Sequence, residues 1–172
     1  MDDDRIVKSF RLALMSPQIL TITTVLLVLP LALFSGALFG GHFLAVPALL
    51  VVGIYVWVWL RFRPRRFVVH ERSMEVIWPM KRRTIPRADI SSVRLLDREE
   101  LGQEIGSGFR VGAGGLWGGF GWLWTKRRGI VQMYVSRNDI FVWIERKSGR
   151  PWLITPEQPE NFVRALLSQS VE

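Results

Sequence analysis

The sequence predicts a two-helix transmembrane hairpin followed by a mainly β domain of about seven strands closed by a C-terminal helix. Three observations carry that prediction: an uncharged apolar stretch long enough for two bilayer crossings, a switch to period-two alternation after Arg66, and an apolar-faced helical pattern at the end of the chain.

Between Arg11 and Arg61 there is no Asp, Glu, Lys or Arg, a run of 49 uncharged residues. Residues 1–60 hold three basic and three acidic side chains, so the formal charge of +8 lies wholly in residues 61–172, as 20 basic against 12 acidic. Charge this polarised implies two environments. The expected organisation is a cytoplasmic N-terminal segment at 1–17, a membrane hairpin at 18–60 and a cytoplasmic domain at 61–172. The start, Met1-Asp2-Asp3-Asp4-Arg5, is acidic and unlike a secretory signal. With no cysteine, disulfides, thiolate metal sites and cysteine nucleophiles are excluded.

A span needs about 20 mainly apolar residues. Residues 18–39 and 43–60 meet that, and Gly40-Gly41-His42 between them is a turn signal. Backbone groups in lipid must be satisfied internally, so both stretches should be helical, with a neighbouring helix covering the carbonyls freed at Pro30 and Pro47. Residues 44–60 have none of the polar face of a soluble amphipathic helix. Tyr55, Trp57 and Trp59 followed by Arg61, Arg63, Arg65 and Arg66 read as an aromatic belt leading into a basic cytoplasmic flank, and Arg5, Lys8 and Arg11 flank the other end. A multi-pass protein of the inner (cytoplasmic) membrane with both termini inside is expected. Ala32, Gly36 and Gly40, with Gly53 opposite, are small residues of the kind that let membrane helices approach.

Strands are expected at 66–70, 74–78, 81–85, 90–96, 130–135, 140–146 and 152–155, separated by turn signals such as Glu71-Arg72-Ser73, Arg137-Asn138-Asp139 and Ser148-Gly149. Residues 102–129 hold ten of the fifteen glycines and read as a long glycine- and aromatic-rich loop. Thr155 with Gln158 fits a capping box, Pro156 suits the first helical position, and Phe162, Val163, Leu166 and Leu167 supply one apolar face.

The segment Thr84-Ile85-Pro86-Arg87-Ala88-Asp89-Ile90-Ser91-Ser92-Val93 resembles the IP-x-x-D-I-x-S-V segment of bacterial PH-like (pleckstrin homology) domains. The stretch from Ile154 to Val163 is similar to their SPEDPEAFV ending, with Gln158 in place of the Asp, and Gly118-Gly119-Phe120-Gly121 sits where they carry GxFG. The resemblance covers roughly residues 61–168. It implies a PH-like barrel of about seven strands, in many members preceded by a transmembrane hairpin, and it implies no activity.

Catalytic chemistry has no candidate here. His42 falls in the outer turn and His70 at a strand end, neither with a carboxylate or second ligand at metal spacing, and no zinc, serine-hydrolase or phosphate-loop motif occurs. The run Glu99, Glu100, Glu104 reads as a solvated loop. No enzymatic activity and no cofactor are expected. The informative residues are Trp117, Phe120, Trp122 and Trp124 among glycines, followed by Lys126, Arg127 and Arg128, and a second basic group of Lys81, Arg82, Arg83 and Arg87. Aromatics beside cations suit a lipid headgroup interface; equally, the aromatics would suit the barrel core. Each Lys or Arg near an anionic leaflet contributes on the order of 1 kcal/mol. A domain tethered within a few residues of the bilayer meets headgroup phosphates before it meets nucleic acid. Two functions are expected: a membrane-anchored module that binds the anionic cytoplasmic leaflet or a protein partner there, or an accessory subunit packed among other membrane proteins.

Overall fold

The computed structural model describes residues 5–168, and among them it contains ten strands and four α-helices. Helix α1 spans Pro17–Leu38 and α2 spans Ala45–Arg61, joined through a short 3-10 turn at His42–Leu44. The two helices fall within two residues of their expected ends. Pro17–Leu38 and, counting the 3-10 turn with α2, His42–Arg61 are long and apolar enough to cross a membrane, and most of their side chains are exposed.

Helix α1 runs through Pro30 without breaking. Proline has no N–H, so the carbonyl four residues earlier, on Leu26, loses its helical partner. The Tyr55 hydroxyl of α2 donates to that carbonyl at 2.8 Å, so the freed oxygen is covered as expected. Pro47 lies in the first turn of α2, where no helical bond is lost. The small-residue expectation is corrected in part. Ala37 and Ala48 are buried and a Cβ on Gly36 would meet Leu44, whereas Ala32 is exposed and a side chain at Gly53 would meet open space.

The first sheet has the order β1-β2-β3-β4 and is antiparallel throughout: β1 Ile6–Arg11, β2 Arg66–His70, β3 Ser73–Ile77 and β4 Arg82–Pro86. The second has the order β5-β9-β10-β8-β7-β6, from β5 Ile90–Asp97, β6 Gly108–Gly114, β7 Gly119–Thr125, β8 Gly129–Val135, β9 Ile140–Arg146 and β10 Trp152–Ile154. Only the β8–β10 pairing within it is parallel. The sheets enclose one core, with Phe67, Val76 and Ile85 from the first, Tyr134, Ile144 and Trp152 from the second, and Phe162 from the C-terminal helix α4 (Pro159–Leu167). The opposite face of the six-stranded sheet is covered too, where Val131, Phe141 and Trp143 meet Leu101 and Ile105 of α3 (Arg98–Ile105). Side chains alternate along a strand, so burial on both faces explains the unbroken apolar run Phe141-Val142-Trp143-Ile144. Trp143 and Ile144 are both fully buried, in different cores.

Four expectations are corrected. The count of about seven strands omits β1, β6 and β7. Five of the six β1 residues are exposed, so it carries no alternation, although Phe10 packs edge-on to Phe162 at 5.2 Å. Residues 102–129 are not a loop but the end of α3 and a hairpin, β6–β7. In that hairpin Gly112 faces Gly121, both at positive φ, and a Cβ on either would meet a backbone oxygen at 2.4–2.5 Å. Glycine is required for that close approach, and glycine is also what hides a strand from propensity reasoning.

Helix α3 holds the acidic run read as solvated loop. Asp97 accepts from the Glu99 and Glu100 amides at 2.8 Å and Glu100 accepts from the Asp97 amide at 2.9 Å, a capping box. The box expected at Thr155 does not form. Thr155 is buried and accepts from the Ser136 amide at 2.9 Å, while α4 begins at Pro159 after Gln158.

The motif residues have structural tasks. Asp89 accepts from Arg146 Nε at 2.7 Å and from the Ser148 amide and hydroxyl at 2.8 and 2.6 Å, tying the turn before β5 to the turn after β9. These bonds hold its carboxyl at about 2, below its ordinary 3.8.

Candidate functional site

Among the described residues, an Asn138–Gln18 hydrogen bond and three larger attachments hold the β domain to the helical hairpin. The first is the segment leading into α1: the Ala13 amide donates to Thr155 O at 2.9 Å, the Ser16 amide to Ser136 O at 3.1 Å, and the Ser136 hydroxyl to Ala13 O at 2.7 Å. The second follows α2, where the Trp78 indole donates to Phe62 O at 3.0 Å and Arg63 lies 4.3 Å over the Trp59 ring.

The third is the tip of the β6–β7 hairpin. Thr23, buried in α1, donates its hydroxyl to Gly115 O at 3.0 Å and accepts from the Trp117 amide at 3.0 Å. The Trp117 ring stands edge-on to Trp59 at 4.8 Å and to Tyr55 at 6.4 Å, both on α2. Trp117 is the one non-glycine at positive φ among the described residues, at 60°. That conformation is unfavourable for a bulky side chain and persists where surroundings over-determine it.

Beyond the tip, the hairpin turns an apolar stripe outward. Phe109 pairs with Trp124 and Val111 with Trp122, and Phe109, Trp124 and Trp122 are 72%, 56% and 45% exposed. Further along the same face, Phe120 is fully buried in the core.

Where the two sheets part, a cleft of about 320 Å³ opens, lined by Phe62, Lys81, Arg83, Val111, Gly112, Gly121, Trp122, Gln132 and Tyr134. Tyr134 of that lining belongs to an aromatic row. Trp78 meets Tyr134 edge-on at 5.1 Å and Tyr134 meets Trp152 at 5.7 Å. Lys81 sits 4.5 Å over Trp78 and Arg83 sits 5.0 Å over Trp152. Burial, then the charges of Arg61 and Arg83, lower the Lys81 ammonium from its ordinary value. Burial pushes the Tyr134 hydroxyl up to about 12, against the opposing pull of Arg83.

Lys81, Arg83 and Trp122 are the sequence candidates brought together. Arg82 is exposed and precedes Arg83 on the strand, so its side chain takes the other face. Arg87 reaches the C-terminal carbonyls of α4, donating to Ala165 O at 2.8 Å and Leu166 O at 3.1 Å, a helix-capping role. Lys126, Arg127 and Arg128 lie at the far end of β7 from the docked tip. There Arg127 donates to Gln103 O and Arg128 pairs with Glu104, which also meets Arg94 at 3.1 Å, while Lys126 is exposed. His70 does have a carboxylate neighbour, Glu75 across the β2–β3 hairpin at 3.6 Å. Sequence reasoning missed Phe62, Gln132, Tyr134 and Thr23. Their roles depend on strands and helices far apart in the chain.

A family model described as a bacterial PH domain matches residues 65–170, more than half of the chain. The chain belongs to the bacterial PH domain family. A search of curated proteins and a search of solved structures each gave no match. A PH domain is generally a non-catalytic binding module for lipid or protein, and the outward aromatic stripe and the cleft both suit binding. In this bacterial PH domain the IP-x-x-D residues serve the fold: Ile85 fills the core, Arg87 caps α4 and Asp89 ties two turns together.

Proposed function

We propose that the protein is a membrane-anchored, non-enzymatic binding module. In this reading α1 and α2 cross the inner membrane as a hairpin, both termini are cytoplasmic, and the PH domain binds the anionic face of that leaflet or a protein partner there. Large apolar side chains such as Val25, Leu31, Leu49 and Ile54 are exposed on the two helices, and lipid is the solvent that suits them. The charge-free hairpin turn and the basic residues at both outer ends support the orientation.

The observation that carries the reading is the Thr23–Trp117 junction. A domain on a loose tether samples many orientations. This one has its hairpin tip bonded to α1 and packed on α2, which favours one face, the one bearing Trp122 and Trp124, toward the leaflet. The chain has no cysteine, so a Trp124→Cys variant carries a unique thiol for a nitroxide. In nanodiscs of phosphatidylcholine and phosphatidylglycerol, that nitroxide should be relaxed more by oxygen, which concentrates in lipid, than by a water-soluble nickel complex. A label at Ser148→Cys should show the reverse. A water-exposed label at 124 would refute leaflet contact and move the aromatic stripe to a protein partner within a larger membrane complex.

A further inference from the structure

We infer that the cleft between the two sheets binds the phosphate headgroup of a single anionic phospholipid, with Lys81 and Arg83 holding the phosphate and Phe62, Val111 and Trp122 forming an apolar wall beside it. This inference rests on the reading that α2 ends at the cytoplasmic leaflet, and it names the ligand class and the residues.

The cations lack an anion. Among the described residues, Arg61, Lys81 and Arg83 pair with no carboxylate, and no Asp or Glu lines the cleft. Two cations in one cleft, with a third close enough to act on Lys81, repel one another, and an incoming phosphate relieves that repulsion. That repulsion adds to burial in lowering the proton affinity of Lys81.

Donors for phosphate oxygens are also present. Tyr134 lines the cleft, and burial keeps its hydroxyl protonated, so its proton can be donated. Trp122 is fixed in place: its indole donates to Gln132 Oε1 at 3.1 Å and Gln132 Nε2 donates to Gly121 O at 3.0 Å. Arg150 stands 5.9 Å from the centre of the Trp122 ring, adding positive potential near the rim. Gly112 and Gly121 line the cleft with bare backbone.

Location and shape select a lipid over free phosphate. Phe62 directly follows the last residue of α2, so the cleft begins where that helix ends. At about 320 Å³ the cleft is at the lower end of small-molecule sites, which run from roughly 300 to 1,000 Å³. A headgroup with part of its glycerol fits that space, and the apolar wall has a use only if the ligand has an apolar part.

The test is native mass spectrometry of the full chain released from detergent, titrated with phosphatidylglycerol or with phosphatidylcholine of the same acyl chains. One phosphatidylglycerol should bind saturably ahead of any phosphatidylcholine. Lys81→Gln with Arg83→Gln should weaken that first site roughly thirty-fold, since two cations are lost. Arg82→Gln with Lys126→Gln removes the same charge elsewhere and should leave the first site unchanged. Circular dichroism checks folding, and Lys81→Gln alone, with a smaller loss, serves if the double variant unfolds. A first site that survives loss of both cations, or that takes phosphatidylcholine equally, overturns the inference. Inorganic phosphate that displaces the lipid at equal concentration overturns the lipid part. A nitroxide at 124 that stays in water counts against the leaflet reading, whereas loss of the selective first site in the wild type counts against the cleft.

Discussion

Replacing Thr23 with Val tests the junction that orients the domain. Valine keeps the shape of threonine and removes the hydroxyl, leaving the Trp117 amide and the Gly115 carbonyl without their partner. A buried group left unsatisfied costs about 1–3 kcal/mol, so the two together cost about 2–6 kcal/mol. The attraction holding the tip otherwise comes from the edge-on contacts of Trp117 with Trp59 and Tyr55, each about 0.5–1.5 kcal/mol beyond burial. The loss matches or exceeds that gain, and Trp117 also holds an unfavourable φ of 60° that docking must sustain. The tip should therefore undock. Hydrogen exchange of the full chain in nanodiscs reads this directly, with the Gly115 amide, bonded to Gly118 O at 2.9 Å, as reporter. At about 2 kcal/mol, exchange across residues 115–118 should rise roughly thirty-fold, while residues 129–135 in the sheet stay protected. Thr23→Ser should behave as wild type. Unchanged exchange at 115–118 in Thr23→Val would show that the hydroxyl does not hold the junction, and the oriented-domain argument would fail with it.

Ile144→Asp places a charge in the core between the sheets, where Ile144 is fully buried; the cost should exceed about 4 kcal/mol, and the variant should lose its β-type circular dichroism in detergent. Asp89 is predicted to shape the acid limb of stability. Its carboxyl is depressed to about 2 from 3.8, so the stabilisation is present above about pH 4 and is lost as pH falls toward 2. Asp89→Asn should flatten acid unfolding over that window without abolishing it, because Asp139, held at about 2 by Arg137, titrates there as well; an unchanged acid limb would refute the assignment.

The sequence alone determined whatever depends on short-range pattern. A run of 49 uncharged residues with one glycine turn specifies two apolar helices whatever the rest of the chain does. Short alternating or apolar runs bounded by turn signals specified β2 to β5 and β8 to β10, and Phe162 with Leu166 one turn later marked the buried side of α4. The motif resemblance led to the family through residues such as Ile85 and Asp89, whose tasks are structural and whose identities therefore say little of ligands. Tertiary structure decided everything that rests on chain-distant partners. β1 is visible only once β2 lies beside it, because an edge strand with exposed, charged residues carries no period of its own. β6 and β7 are strands despite their glycines, because the backbones at Gly112 and Gly121 approach too closely for any Cβ. The four tryptophan and phenylalanine candidates looked alike in sequence, yet Phe120 fills the core, Trp117 locks to the helices, and Trp122 and Trp124 face outward. Their fates differ because burial is set by what lies opposite each side chain. For Trp117 that is Thr23 and Trp59, residues brought there by a helical hairpin far earlier in the chain.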